Sequence, residues 1–277
     1  MAAIPDDLAQ SVREAIDVGD PIPLAAFLAS WADEVPETED PVGLAEMLKP
    51  RWRERLIGSD EFAKLKAAAE AWARDNDGKR RPELARRERS SKQVGSYLEA
   101  ELREAIESEF GRSLGGNAAK GVDIVGIRVD IKTTRITQPQ SSAPVRTRAE
   151  PALGLDCHVL LLVYDLNDDG NPDAPMLDIA SISFIPRWMT TDHRVAARMR
   201  DLREQVRAGE VGAVAAAETL TKEFSAIDTT AELIAVLAGD EPVPRGVTTV
   251  SPAFQWRYQY RAIHNEAAEA RGLYIPE

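Results

Sequence analysis

Residues His158-Val-Leu-Leu-Leu-Val-Tyr164 form a near-continuous apolar run of strand length. Successive side chains of a strand point to opposite faces, so a strand that is apolar throughout needs cover on both sides. The run therefore reads as a central strand buried on both faces. Leu177-Asp-Ile-Ala-Ser-Ile-Ser-Phe-Ile185 reads as the returning strand, reached through a sharp turn in Asp165-Leu-Asn-Asp-Asp-Gly-Asn-Pro-Asp173. That turn begins like a calcium loop. Its twelfth position is Met176 rather than Glu, and a strand rather than a helix precedes it, which excludes that reading. Cys157 opens the apolar run and reads as a core residue. As the lone cysteine it excludes an internal disulfide and a cysteine-based zinc site.

Upstream, Ile127, Val129 and Ile131 alternate with Arg128, Asp130 and Lys132. The period of two predicts a strand over 127–132 with Asp130 and Lys132 side by side on its polar face. Asp123 precedes it, separated by the Gly126 break. A carboxylate and an ammonium on one strand face, with a second carboxylate before a turn, can hold a hard divalent cation and polarise a water. The lysine can orient or deprotonate that water, or offset phosphate charge. An exposed strand face carrying an ordinary ion pair would have the same pattern.

The segment before this strand is helical in periodicity. Helices are predicted over 6–18, 23–33 and 42–48, and another follows the Ser59 N-cap with Phe62, Leu65, Ala69 and Trp72 on one stripe. Residues 1–78 thus read as a helical N-terminal subdomain whose default role is packing, and residues 79–277 as the main domain. The basic segment 79–92 reads as a linker or a phosphate-contacting arm, or as a solvated helix start. Ser90 or Ser91 opens a helix over 92–110 with Val94, Leu98, Leu102, Ile106 and Phe110 on its apolar face. On a helical wheel Glu101 falls within that stripe and Glu99 at its edge. Gly115, Gly116 and Gly121 would let a phosphate backbone approach Asp123, and a plain turn explains them equally well.

Thr133 to Arg148 is rich in Gln, Ser, Thr and Arg and broken by Pro139 and Pro144. Gln pairs bidentately with adenine and Arg with guanine, so this is the candidate recognition loop: Arg135, Gln138, Gln140, Ser141, Arg146 and Arg148. A plain solvated loop is the alternative. Beyond Pro186, Val195, Met199, Leu202 and Val206 predict a helix that packs on another, in this chain or a second copy. Helices near 211–224 and 229–238 follow, and His193 reads as a surface residue. Phe254-Gln-Trp-Arg-Tyr-Gln-Tyr-Arg261 alternates aromatics with Gln and Arg and reads as a strand; His264 carries no assignment.

The net charge of −12 argues against an indiscriminate nucleic-acid coat. The bases gather locally, at 79–89 and at 131–149, which suits an acidic body with a basic cleft. No apolar run approaches the ~20 residues of a membrane span, no secretory signal is evident, and a reducing cytoplasm fits the cysteine usage.

The order of elements and the residues Asp123 and Asp130-Ile131-Lys132-Thr133-Thr134 resemble the active-site motif of the PD-(D/E)xK nuclease superfamily, and within it the type II restriction endonucleases. The stretch covered is roughly Val94 to Ile185; Val122 stands where the proline of the motif's name would be. The resemblance implies an α/β fold, a restriction-endonuclease-like core (about 92–186) with a central mixed β-sheet flanked by helices, carrying helical N-terminal and C-terminal additions. It implies Mg²⁺ held by Asp123, Asp130 and the Ile131 carbonyl, with Lys132 acting on water. Gly95-Ser-Tyr-Leu-Glu99 looks like the family's first core helix, whose Glu adds an acid to the site, so Glu99 ranks ahead of Glu101. Double-stranded DNA is the implied partner, and cutting both strands of a palindrome implies a homodimer. A structure-specific repair or recombination nuclease, or a non-catalytic DNA-binding module, are the alternatives.

Overall fold

The computed structural model describes residues 59–239 apart from 86–89, 112, 115–121, 125–126, 138–146, 156 and 226; beyond them it describes 243, 245–250, 256–258, 263, 266–267 and 272–275. Helix α1 (Asp60–Asn76) starts where the sequence places a cap: the Ser59 hydroxyl accepts from Phe62 N–H, with Asp60 and Glu61 in the first turn. Phe62, Leu65, Ala69 and Trp72 are buried along its inner stripe. Two residues, Lys79–Arg80 (β1), then pair with the sheet, and a 3₁₀ turn covers Pro82–Leu84. The described part of the basic segment thus begins as a sheet edge at Lys79–Arg80 and ends as a helix start at Ser90–Lys92. Helix α2 (Ser91–Phe110) opens with a full capping box between Ser90 and Gln93 and ends at Gly111, whose φ of 64° is the left-handed turn glycine favours.

The sheet is four-stranded and mixed, in the order β1-β4-β3-β2. Strand β2 (Val129–Arg135) lies parallel to β3 (His158–Asn167), with Asp130 opposite Val159 and Lys132 opposite Leu161. Strand β4 (Met176–Ile185) returns antiparallel to β3. The apolar run is the sheet's centre, as its composition requires: Val159 to Leu162 are fully buried. Helices α1 and α2 cover one face, in a core shared by Leu65, Leu98, Leu102, Val129, Ile131, Leu160, Leu162 and Phe184. The other face carries Val159, Leu161, Val163 and Ile185 beneath Leu155, Cys157, Met189, Val247 and Ile263. This is the α/β, restriction-endonuclease-like arrangement of a mixed sheet flanked by helices.

The catalytic-motif strand begins two residues later than its alternation predicts. Residues 127 and 128 form a turn, with Arg128 at a φ of 50°, because Ile124 bridges back to Val129 in a tight antiparallel pair. The strand then runs on to Arg135, so Thr133 to Arg135 belong to the sheet and not to the loop.

A short helix α3 (Glu150–Leu153) follows the loop, and the chain after β4 builds a helical unit from α4 (His193–Arg207), α5 (Ala213–Glu223) and α6 (Ala231–Ala238). Val195, Met199 and Leu202 of α4 are buried against Ala216, Leu220, Leu233 and Leu237. The expected helix–helix seam is thus filled within the chain. Short strands β5 (Thr248–Val250) and β6 (Trp256–Tyr258) pair antiparallel, so the central part of the aromatic tail is extended. His193 is half-buried, its Nδ1 3.1 Å from the Thr248 carbonyl oxygen. Tyr274 runs along the outer edge of β4, donating to Ile182 and accepting from Phe184. His264 and the N-terminal helices before residue 59 lie outside the described residues. Among the described residues no helix is long and apolar enough to cross a membrane.

Candidate active site

Alternate N–H groups of a strand point to the same edge, and an edge strand leaves one such row without a neighbour. In β2 that row begins with Val129, Ile131 and Thr133, and each of these three finds an acceptor. Val129 N–H donates to the Ile124 carbonyl at 3.1 Å. Ile131 N–H donates to Asp123 Oδ2 at 2.8 Å. Thr133 N–H donates to Glu99 Oε1 at 3.0 Å, and the Thr133 hydroxyl donates to the same oxygen at 3.2 Å. Two carboxylates, one from the turn before the strand and one from α2, are thereby drawn to the free edge of the strand that carries Asp130 and Lys132.

Lys132 Nζ sits 2.9 Å from Asp130 Oδ1 and 3.4 Å from the Ile131 carbonyl oxygen. Both side chains are largely buried, with side-chain exposures of 19% and 5%. Burial pushes the Asp130 carboxyl up to about 7; the Lys132 ammonium pulls against this, and the Asp123 carboxyl within hydrogen-bonding reach adds to the rise. Burial works against the Lys132 charge, but Asp130, Glu99 and Asp123 together outweigh it and hold its pKa above the ordinary lysine value. Glu99 is also raised, by burial first; Lys132 and the Thr133 donors oppose that, and Asp123 reinforces it. The four groups therefore share one electrostatic environment.

Glu101 does not. Its carboxylate receives the Arg81 guanidinium at 2.7 and 2.8 Å. Arg81 is 9% exposed and also donates to Asn76 Oδ1 and to Glu83. The helical wheel places Glu101 within the apolar stripe because a buried arginine waits there, and Glu99 at the stripe's edge because it faces β2.

Two residues expected to contact DNA make ion pairs within the chain. Arg135, inside the strand, donates to Asp165 Oδ1 at 2.7 Å on the neighbouring strand and is only 15% exposed in its side chain. Arg148 pairs with Asp228 at 3.2 Å, tying the end of the loop to the segment before α6. Charge at the ends of a loop says nothing of where the counter-ion lies, and both counter-ions are distant in sequence. Gln138, Gln140, Ser141 and Arg146 lie outside the described residues, as do Gly115, Gly116 and Gly121. Two residues of the motif stretches acquire a part that the sequence does not specify. Thr133, at the junction of motif strand and polar loop, lies in the sheet and donates to Glu99. Gly95 faces it: a Cβ at Gly95 would come within 2.8 Å of Thr133 Oγ1. The signal in the sequence is the spacing, since Gly95 stands one turn before Glu99.

Among the described residues no three His, Cys, Asp or Glu side chains lie close enough together to hold a metal ion on side chains alone. Asp123, Asp130 and the Ile131 carbonyl offer oxygen donors only, the set that hard cations prefer. The Lys132 ammonium already spans Asp130 and the Ile131 oxygen, so these two oxygens converge on a positive charge. The residues present fit a divalent cation whose remaining positions are filled by water.

A mixed sheet whose edge strand carries Asp-x-Lys, with one acid from the preceding turn and one from an adjoining helix, defines a restriction-endonuclease-like protein. The comparisons agree. Residues 60–275 match the family described as type II restriction enzyme NspV. The type II restriction enzyme NspV of Nostoc sp. is 28% identical over 184 residues, which is 66% of this chain and 81% of that protein. The chain belongs to the NspV family of type II restriction enzymes. No solved structure matches it.

Proposed function

We propose that the protein hydrolyses phosphodiester bonds of double-stranded DNA at a short specific sequence, with Mg²⁺, as a homodimer. The observation that carries this reading is the gathering of Glu99, Asp123, Asp130 and Lys132 at the free edge of β2. Asp123, Asp130 and the Ile131 carbonyl would hold the cation. Bound there, Mg²⁺ would supply charge for the scissile phosphate and acidify a water. Lys132, buried among carboxylates, stays protonated and offers its N–H groups to the attacking water or to a phosphate oxygen. Glu99 has one oxygen engaged by Thr133 and the other open to a water or a second cation. The polar loop that leaves β2, with Gln138, Gln140, Ser141 and Arg146, is the proposed reader of base edges. The family's type II character supports sequence specificity, and cutting both strands of a palindrome supports two-fold assembly.

The test is incubation of the purified protein with methylation-free plasmid DNA and Mg²⁺, beside Lys132→Ala and a metal-free control. Discrete fragments lost in both controls are expected, and sequencing their ends gives the recognition site. Equal cutting by Lys132→Ala would remove the site from consideration.

A further inference from the structure

Thr133 follows Lys132 and points to the opposite side of β2. Its main-chain N–H and its hydroxyl both donate to Glu99 Oε1, at 3.0 and 3.2 Å. A carboxylate turns freely about its terminal torsion, which is broad and two-fold, so a single donor orients it poorly. Two donors on one oxygen restrict that rotation and leave the other oxygen with its lone pairs unspent. Glu99 Oε2 makes no hydrogen bond among the described residues. The hydroxyl is itself enclosed. Gly95, one turn before Glu99, lies so close that a Cβ there would stand 2.8 Å from Thr133 Oγ1. Thr133 is 8% exposed, so no bulk water competes for its hydroxyl. The hydroxyl lies between the bare backbone of Gly95 and the carboxylate it serves.

We propose that Thr133 is a positioning residue for the reaction: with both its donors it fixes Glu99 Oε1, so that Oε2 is held ready for the water or cation that Glu99 serves. This rests on the nuclease reading above. Thr133 touches neither substrate nor metal in this proposal; it acts through Glu99.

The hydroxyl is separated from the main-chain donor by Thr133→Val, which keeps the shape and the N–H, and by Thr133→Ser, which keeps the hydroxyl. Cleavage is followed against Mg²⁺ concentration for both variants, for Glu99→Ala, and for Thr133→Val in the Glu99→Ala background. Loss of one hydrogen bond to a charged group should slow turnover about tenfold and raise the Mg²⁺ needed for half-maximal rate, with KM for DNA unchanged. Serine should restore both. In the Glu99→Ala background the valine should cost nothing further. A second readout needs no cleavage: without Mg²⁺, Thr133→Val should lower Tm by about 3–12 °C with Glu99 present and leave it unchanged with Ala there. Full additivity of the two substitutions, in rate or in Tm, overturns the proposal, as does failure of serine to restore the rate. If Lys132→Ala and Asp130→Asn cut normally, the nuclease site itself falls, and the Tm cycle still decides whether Thr133 fixes Glu99.

Discussion

Gly95 makes a sharp test of how closely α2 must approach the catalytic-motif strand. In an exposed helix Gly→Ala stabilises by about 1 kcal/mol, because alanine loses less backbone entropy on folding. Here the new Cβ would meet Thr133 Oγ1 at 2.8 Å, and something must give. Rotating the hydroxyl away breaks its bond to the Glu99 carboxylate, a loss of about 1.5–3 kcal/mol for a hydrogen bond to a charged group. Moving the helix instead loosens a packed core, at a similar cost of about 1–3 kcal/mol. Net of the helix gain, Gly95→Ala should destabilise by roughly 1–2 kcal/mol, a fall in Tm of roughly 2–8 °C, and slow cleavage by moving Glu99. The decisive variant is the double one. With Thr133→Ala the obstacle is gone, and Gly95→Ala should then stabilise by about 1 kcal/mol. The same substitution changes sign with its neighbour, as read by thermal unfolding of all four proteins. If Gly95→Ala raises stability in the presence of Thr133 and leaves cleavage unchanged, the close approach of α2 to β2 is not what places Glu99.

Four further expectations follow from the electrostatics. Burial raises the Asp130 carboxyl to about 7, so protons compete with Mg²⁺ below that pH; the Mg²⁺ required for half-maximal cleavage should rise about fivefold from pH 7 to pH 6, and a flat response there would contradict the assignment. Because burial raises the folded pKa of Asp130 above its unfolded value, its contribution favours the fold at low pH and is lost as pH rises toward 7; Asp130→Asn should therefore raise the Tm of the metal-free protein at pH 8 while abolishing cleavage. Glu101→Ala leaves the buried Arg81 with fewer acceptors and should cost about 3–5 kcal/mol, whereas Glu99→Ala should cost more in cleavage than in stability; denaturant unfolding beside the cleavage assay separates the two. Arg135→Gln removes the partner of Asp165 and should lower stability by about 1–3 kcal/mol while leaving the salt dependence of DNA binding unchanged; a slope reduced by about one would return Arg135 to the phosphate contacts.

What the sequence reveals of this protein depends on how local the controlling physics is. The central strand is legible because cover on both faces leaves an unbroken apolar run, from Val159 onward. Asp130 and Lys132 are legible as neighbours because the strand period is two. The strand's start is not, since Ile127 and Arg128 keep the alternation inside a turn whose φ of 50° no side-chain pattern records. The pairing of Arg135 with Asp165 is equally hidden, because it crosses from β2 to β3. Glu101 falls on the inner stripe of α2 for a reason lying 20 residues upstream, at Arg81. Gly95 is the opposite case. Its spacing from Glu99 is visible in the sequence, but its meaning appears only once Thr133 is known to lie in the strand.

The position of the site at a sheet edge has its own logic. An open edge presents unpaired N–H groups and invites another strand. Here Asp123 and Glu99 occupy two of those donors, so the edge is closed by the same groups that the proposed chemistry needs. The arrangement has an electrostatic consequence. Glu99, Asp123 and Asp130 bring three carboxylates to a largely buried patch where, among the described residues, Lys132 is the cation that acts on them. Burial first, and the neighbouring Asp123 second, raise the pKa values of Glu99 and Asp130 against the pull of Lys132. In the proposed reaction a divalent cation would offset the remaining negative charge. The backbone of β2 holds Asp123 and Glu99 through N–H groups that the sheet itself fixes, so the fold places these acids beside Asp130 and Lys132.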